Sequence, residues 1–91
     1  MAQEVSVVGG ISYLLLTTSE CADRDDEVEV TVRWFDHDAR ELGSTMEAVI
    51  PGKNWSEQFL WYRAPIGAAS VSVEIAAERC TFDQVELYDL S

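Results

Sequence analysis

Lysine is nearly missing from this chain, which has Lys53 and no other. Five arginines accompany it, so six basic residues stand against 17 acidic ones and the formal charge is −11. Nucleic-acid binders neutralise phosphates with clustered Lys and Arg, so this balance excludes that class. It disfavours an anionic membrane surface for the same reason. Long apolar runs are missing too: stretches such as Leu14-Leu15-Leu16 fall far short of the ~20 residues that a membrane helix needs. Five Gly and two Pro, with 47% hydrophobic residues, exclude a disordered or low-complexity chain. Cysteine is confined to Cys21 and Cys80, with no Cys-x-x-Cys pair, and His37 is the one histidine, so a structural zinc set cannot be completed. A disulfide would need the two Cα atoms within about 7 Å, which sequence does not show. The simpler reading is two reduced or buried thiols, and a bridge is the alternative.

Catalytic signatures are absent as well. The chain has no Gly-x-Ser-x-Gly elbow, phosphate-binding loop, His-Glu-x-x-His or dinucleotide fingerprint. Asp36-His37-Asp38 reads as an exposed turn rather than a metal or acid–base site. The sequence is therefore expected to be no enzyme. Met1-Ala2-Gln3-Glu4 offers neither a basic nor an apolar leader region, as in a cytoplasmic protein or a part excised from an exported one.

What is present is a period of two. Val28-Glu29-Val30-Thr31-Val32-Arg33-Trp34 alternates without error, and Ala69–Ile75 does the same, placing every second side chain on one face. Phe82–Leu90 is strand-like, with Val85 and Leu87 as alternate apolar positions. Glu4–Val8, Ile11–Thr18 and Ser56–Arg63 read as further strands, and Ser44–Ile50 as a weaker one. Gly9-Gly10, Pro51-Gly52 and Pro65-Ile66-Gly67 punctuate them at places that suit hairpins. Ser19–Glu27 reads as a solvated acidic loop. At 91 residues, these seven short strands predict a single all-β domain over residues 1–91, an antiparallel β-sandwich.

The segment VEVTVRWFDHDARELG, Val28 to Gly43, resembles the "V-x-V-x-V-x-F-Y-D-x-D-G-x-x-x-G" strand and turn of galactose-binding-like jelly rolls. Many non-catalytic carbohydrate-binding modules belong to that family. Trp34, Phe35, Asp36 and Asp38 fall at its aromatic pair and aspartates, with Ala39 where glycine is usual. Trp55 followed by Ala64-Pro65-Ile66-Gly67-Ala68 is similar to its "W-x8-A-P-x-G-A" punctuation. Gly10–Leu15, Val71–Ile75 and Phe82–Leu87 resemble its "G-x-x-Y-x-L", "V-x-V-x-L" and "F-D-D-V-x-L" strands. The likeness runs from about Val5 to Leu90. Family domains open with further strands, which have no counterpart here and which often help to form a ligand cleft and a structural calcium site.

The resemblance implies a jelly-roll fold and a glycan or polysaccharide partner. Its strand parity sends Gln58, Leu60 and Tyr62 inward, leaving Phe59 and Trp61 outward, and puts Arg33 and Phe35 outward on the preceding long strand. The implied ligand site is Trp61, Phe59 and Phe35, with Arg33 and Glu57 as polar partners. Trp34 belongs to the core and Trp55 to the strand entry, both structural. No cofactor is expected; a calcium ion, if one binds, would by the resemblance fall to Asp83, and the separate cluster Asp23, Asp25, Asp26 and Glu27 lacks the glycine and spacing of an EF-hand and reads first as a solvated loop. The competing reading of the aromatics is a protein interface, in which sheet edges left open are covered by another copy in a homo-oligomer.

Overall fold

A computed structural model describes residues 2–90, the side chains of Asp83 and Gln84 excepted. The sequence's period of two becomes seven strands: β1 (Ala2–Ser6), β2 (Ser12–Cys21), β3 (Val28–Phe35), β4 (Glu41–Val49), β5 (Ser56–Arg63), β6 (Ser70–Ala76) and β7 (Cys80–Asp89). They form two antiparallel sheets, ordered β1-β6-β3-β4 and β5-β2-β7. Among the described residues no helix is long and apolar enough to cross a membrane.

The core lies where the inward faces meet. Val30, Val32 and Trp34 of β3 stand in register with Ile75, Val73 and Val71 of β6, and these and Val28 are all buried. The other sheet contributes Tyr13, Leu15, Thr17, Ser19 and Cys21 from β2. Each fully buried Val or Leu favours the fold by about 1.5–3 kcal/mol relative to exposure, so the strictly alternating strands anchor it. β4 is different. Its inward positions Gly43, Thr45 and Glu47 pair with Trp34, Val32 and Val30, yet the strand is largely exposed, as its weaker alternation foretells.

The connections correct the hairpin expectation. Gly9-Gly10, Pro51-Gly52 and Pro65-Ile66-Gly67 join strands of different sheets, and only the β3–β4 turn stays within one. Gly9 is needed where the β1–β2 crossing touches the β5–β6 crossing, because a Cβ there would sit 2.7 Å from Gly67 N and Pro65 O. β1 also ends two residues before its expected limit. Val7 turns into the core and its N–H bonds Ala69 O, while the Val8 N–H donates to the Tyr13 hydroxyl.

The β3–β4 turn is built on Asp36, whose Oδ1 accepts from the N–H groups of Asp38 and Arg40, both at 2.9 Å. Those bonds, that from Arg40 first, hold the carboxyl below its ordinary pKa. Ala39 takes the left-handed conformation there, with φ 61°. Cys21 and Cys80 lie directly opposite each other in the β2–β7 ladder, Cα atoms 4.0 Å apart, and form a disulfide. This corrects the reading of two reduced thiols, since the pairing follows from a register between residues 59 apart.

Candidate functional site: an aromatic face on the three-stranded sheet

The side-chain parity of β5 is fixed by a polar chain on its inner face. Ser19 Oγ donates to Gln58 Oε1 at 2.9 Å, Gln58 Nε2 to Ser56 Oγ at 2.7 Å, and Ser56 Oγ to the Pro51 carbonyl at 2.9 Å. Ser19 is 1% exposed, so a slipped register would strand a buried hydroxyl as well as overturn every side chain. With that register, Ser56, Gln58, Leu60 and Tyr62 lie opposite Ser19, Thr17, Leu15 and Tyr13 on the inner face. The alternate positions Glu57, Phe59, Trp61 and Arg63 face outward and are exposed.

Trp61 is 68% and Phe59 44% exposed, with ring centroids 6.5 Å apart and planes tilted by 31°. The surface continues across the sheet. Trp61 is opposite Leu14 and Leu14 opposite Tyr88, while Phe59 is opposite Leu16 and Leu16 opposite Glu86. Leu14 and Leu16 are half-buried and Tyr88 is 43% exposed. Two aromatic rings thus sit beside a leucine pair with a tyrosine beyond, a flat apolar area on a solvent face. Glu57 and Arg63 flank it on β5, and among the described residues neither is in an ion pair.

The structure brings together Trp61, Phe59 and Glu57 of the expected site. It separates them from Phe35 and Arg33, which lie on β3, outward on the other sheet and thus on the opposite side of the sandwich. There Phe35 is half-buried, and Arg33 lies between Glu41 at 3.8 Å and Glu74 at 3.6 Å. Trp34 is in the core, tilted against Tyr13. Trp55 is not a structural plug: it is 48% exposed, one residue before β5.

The Asp83 side chain, the calcium candidate, lies outside the described residues. Among the described residues no group of three or more His, Cys, Asp or Glu is arranged to hold a metal ion. In the acidic loop, Asp23 Oδ1 accepts from the Asp25 N–H, and Asp26 Oδ1 meets Arg79 Nη2 at 2.6 Å. Carboxylates engaged in this way shape the loop. Nearby, Asp26, Glu27, Glu29, Glu78 and Arg79 line a depression of about 510 Å³ that includes no aromatic residue.

Leu14, Leu16 and Tyr88 were not legible as parts of the face. Leu14-Leu15-Leu16 is apolar at every position, which hides parity, and only its pairing with β5 and β7 shows which leucines point outward. No protein-family model matches the chain, and a search of curated proteins finds none similar to it.

Proposed function

We propose that this protein is a non-catalytic carbohydrate-binding module of jelly-roll, galactose-binding-like architecture, which holds a polysaccharide against the Phe59–Trp61 face. The strand orders support the architecture. All connections between the described strands but one cross between the sheets, as in the interleaved Greek keys of a jelly roll, and seven strands in the orders β1-β6-β3-β4 and β5-β2-β7 are compatible with that winding.

The observation that carries the function is the shallow platform of Trp61 and Phe59. Pyranose rings present C–H faces that stack on the electron-rich faces of aromatic rings. Flanking Glu57 and Arg63 provide an acceptor and a donor for sugar hydroxyls. A flat platform suits a polymer that lies across the sheet, whereas small-molecule sites are concave. The test is tryptophan fluorescence and affinity electrophoresis against a panel of soluble polysaccharides. Retention by at least one, lost in Trp61→Ala at an unchanged melting temperature, is expected. A monomer whose emission and mobility ignore the whole panel refutes the reading.

The contiguous apolar face of Leu14, Leu16, Phe59, Trp61 and Tyr88 supports a second reading, a subunit that self-associates face to face. Light scattering separates the two: the second requires a concentration-dependent dimer that Trp61→Ala dissociates.

A further inference from the structure

Strands at the edge of a sheet are normally kept short or guarded by Lys or Pro, because their free backbone groups invite another strand. β1 and β4 are the edges of the four-stranded sheet, and β1 is short, at five residues. β4 runs for nine residues, contains no Lys, Arg or Pro, and among the described residues pairs with β3 alone. A full strand of backbone is therefore open on its other side.

The outward side of β4 is apolar where solvent favours polar groups. Ser44, Met46 and Ala48 stand opposite Arg33, Thr31 and Glu29 on the outer face, and Leu42 and Ile50 continue the alternate spacing at the two ends. Leu42 is 42%, Met46 67% and Ile50 60% exposed. An exposed apolar stripe of this kind marks an interaction surface. Read along the chain, it runs large, small, large, small, large.

That order is self-complementary. When β4 is laid antiparallel against β4 of a second copy, a ladder centred on Thr45 joins all nine residues. Leu42 then meets Ala48 of the second copy and Met46 meets its Ser44, so each large side chain of the ladder faces a small one. Thr45 meets Thr45, a favourable pair across strands. Glu47 points inward and meets Gly43 of the second copy, beside which there is open space. The two Glu47 carboxylates stay about 13 Å apart along the ladder, beyond the screening length of about 10 Å at 0.1 M salt. A ladder centred on Glu47 would instead oppose those carboxylates and pair fewer residues.

We propose that the free edge of β4 is the interface of a two-fold dimer, in which β4 of two copies pairs antiparallel about Thr45 and joins the two four-stranded sheets into one. The occupant is a second copy because one stretch of sequence supplies both sides of the fit, as a two-fold interface requires. This differs from face-to-face association, since Phe59 and Trp61 lie outward on the other sheet and take no part in the ladder. The two-fold axis is normal to the joined sheet, so the Phe59–Trp61 faces of both copies come to lie on one side of the dimer.

The test places charge at the two-fold centre. Light scattering of the unaltered protein is expected to show a concentration-dependent dimer. Thr45 is exposed, so Thr45→Glu and Thr45→Lys should both fold. Each alone should weaken the dimer by roughly tenfold or more, because like charges then face each other across the ladder. Mixing the two variants should restore it. Trp61→Ala should leave the dimer intact. A protein that is monomeric throughout, a dimer indifferent to both Thr45 variants, variants that do not recover on mixing, or a dimer that Trp61→Ala dissociates would each overturn the proposal. If a Thr45 variant does not fold, the unaltered protein decides: amide exchange in β4 should slow as concentration rises while that in β1, the other edge, does not. Equal behaviour of the two edges would overturn the assignment.

Discussion

Reduction of the Cys21–Cys80 bridge is the largest single perturbation open to experiment. The bond closes a loop with a sequence separation of 59 residues. In the chain-entropy description, cross-linking a loop of that length removes about 14 cal/mol/K from the unfolded ensemble, or about 4 kcal/mol at 25 °C. A chain of 91 residues is stable by roughly 5–14 kcal/mol in total at the usual per-residue values, so the loss is about a quarter or more of what holds it together. Residual contacts in the unfolded chain pull the value down, which puts the expected destabilisation at about 3–4 kcal/mol. Guanidinium titrations with and without reductant measure it, with buried Trp34 as the fluorescent reporter. The midpoint should fall, and the dependence on denaturant should steepen, because an unlinked chain exposes more surface when it unfolds. The Cys21→Ala/Cys80→Ala double variant should reproduce the reduced protein. A change below about 1 kcal/mol in both would mean that the bridge constrains little that the β2–β7 ladder does not already fix.

Trp61→Ala should alter stability by less than about 1 kcal/mol, because the ring is 68% exposed, whereas Leu60→Ala, half-buried on the inner face, should cost about 1–3 kcal/mol. Denaturant melts of the two variants check the order, and an inverted order refutes the β5 parity. Burial first, and then the Glu47 carboxylate, push the Tyr62 phenol up to about 12, above its ordinary 10.0. The unfolded chain therefore gives up this proton first, so stability that is full below pH 10 declines as pH rises toward 12. Allowing for solvent screening of a partly exposed ring, the decline is about 1–2 kcal/mol. Tyr62→Phe should lose that part of the alkaline decline and be neutral or up to about 1 kcal/mol more stable at pH 7, since the buried hydroxyl has no well-formed hydrogen bond. An unchanged alkaline profile in the variant would refute the assignment. Ala39→Gly should stabilise by about 0.5–1 kcal/mol, as relief of the left-handed strain at φ 61° exceeds the added freedom of the unfolded chain; a lower melting temperature would contradict it.

Alternation in the sequence reports which face a residue occupies and is silent about which sheet. β3 and β6 were legible because one side of each is buried and the other wet, which writes a clean period of two. The limits of β5 were legible for the same reason. Phe35 and Trp61 both read as outward, and both do face outward, but from opposite sheets. Their separation depends on the crossing connections, and Gly9-Gly10 or Pro51-Gly52 would look the same in a hairpin as in a crossing. The disulfide belongs to the same class of fact, since it rests on a long-range register. β2 was legible as a strand and illegible in parity, because its outer leucines lie beneath aromatic neighbours and are as apolar as its inner one.

The aromatic face spans all three strands of its sheet, with Trp61 on β5 and Tyr88 on β7 each opposite Leu14 of β2. The two rings share that leucine as a neighbour, so their effects on binding should be coupled rather than additive. Trp61→Ala should abolish polysaccharide retention, and Tyr88→Ala should weaken it if the polymer lies across the sheet. Both side chains are exposed, so neither variant should change stability by more than about 1 kcal/mol. Unchanged melting temperatures therefore separate a local loss of contact from a general loosening of the sandwich, which would lower them together. If Tyr88→Ala leaves retention unchanged while Trp61→Ala abolishes it, the polymer runs along β5, and the reading of a polymer laid across the sheet fails.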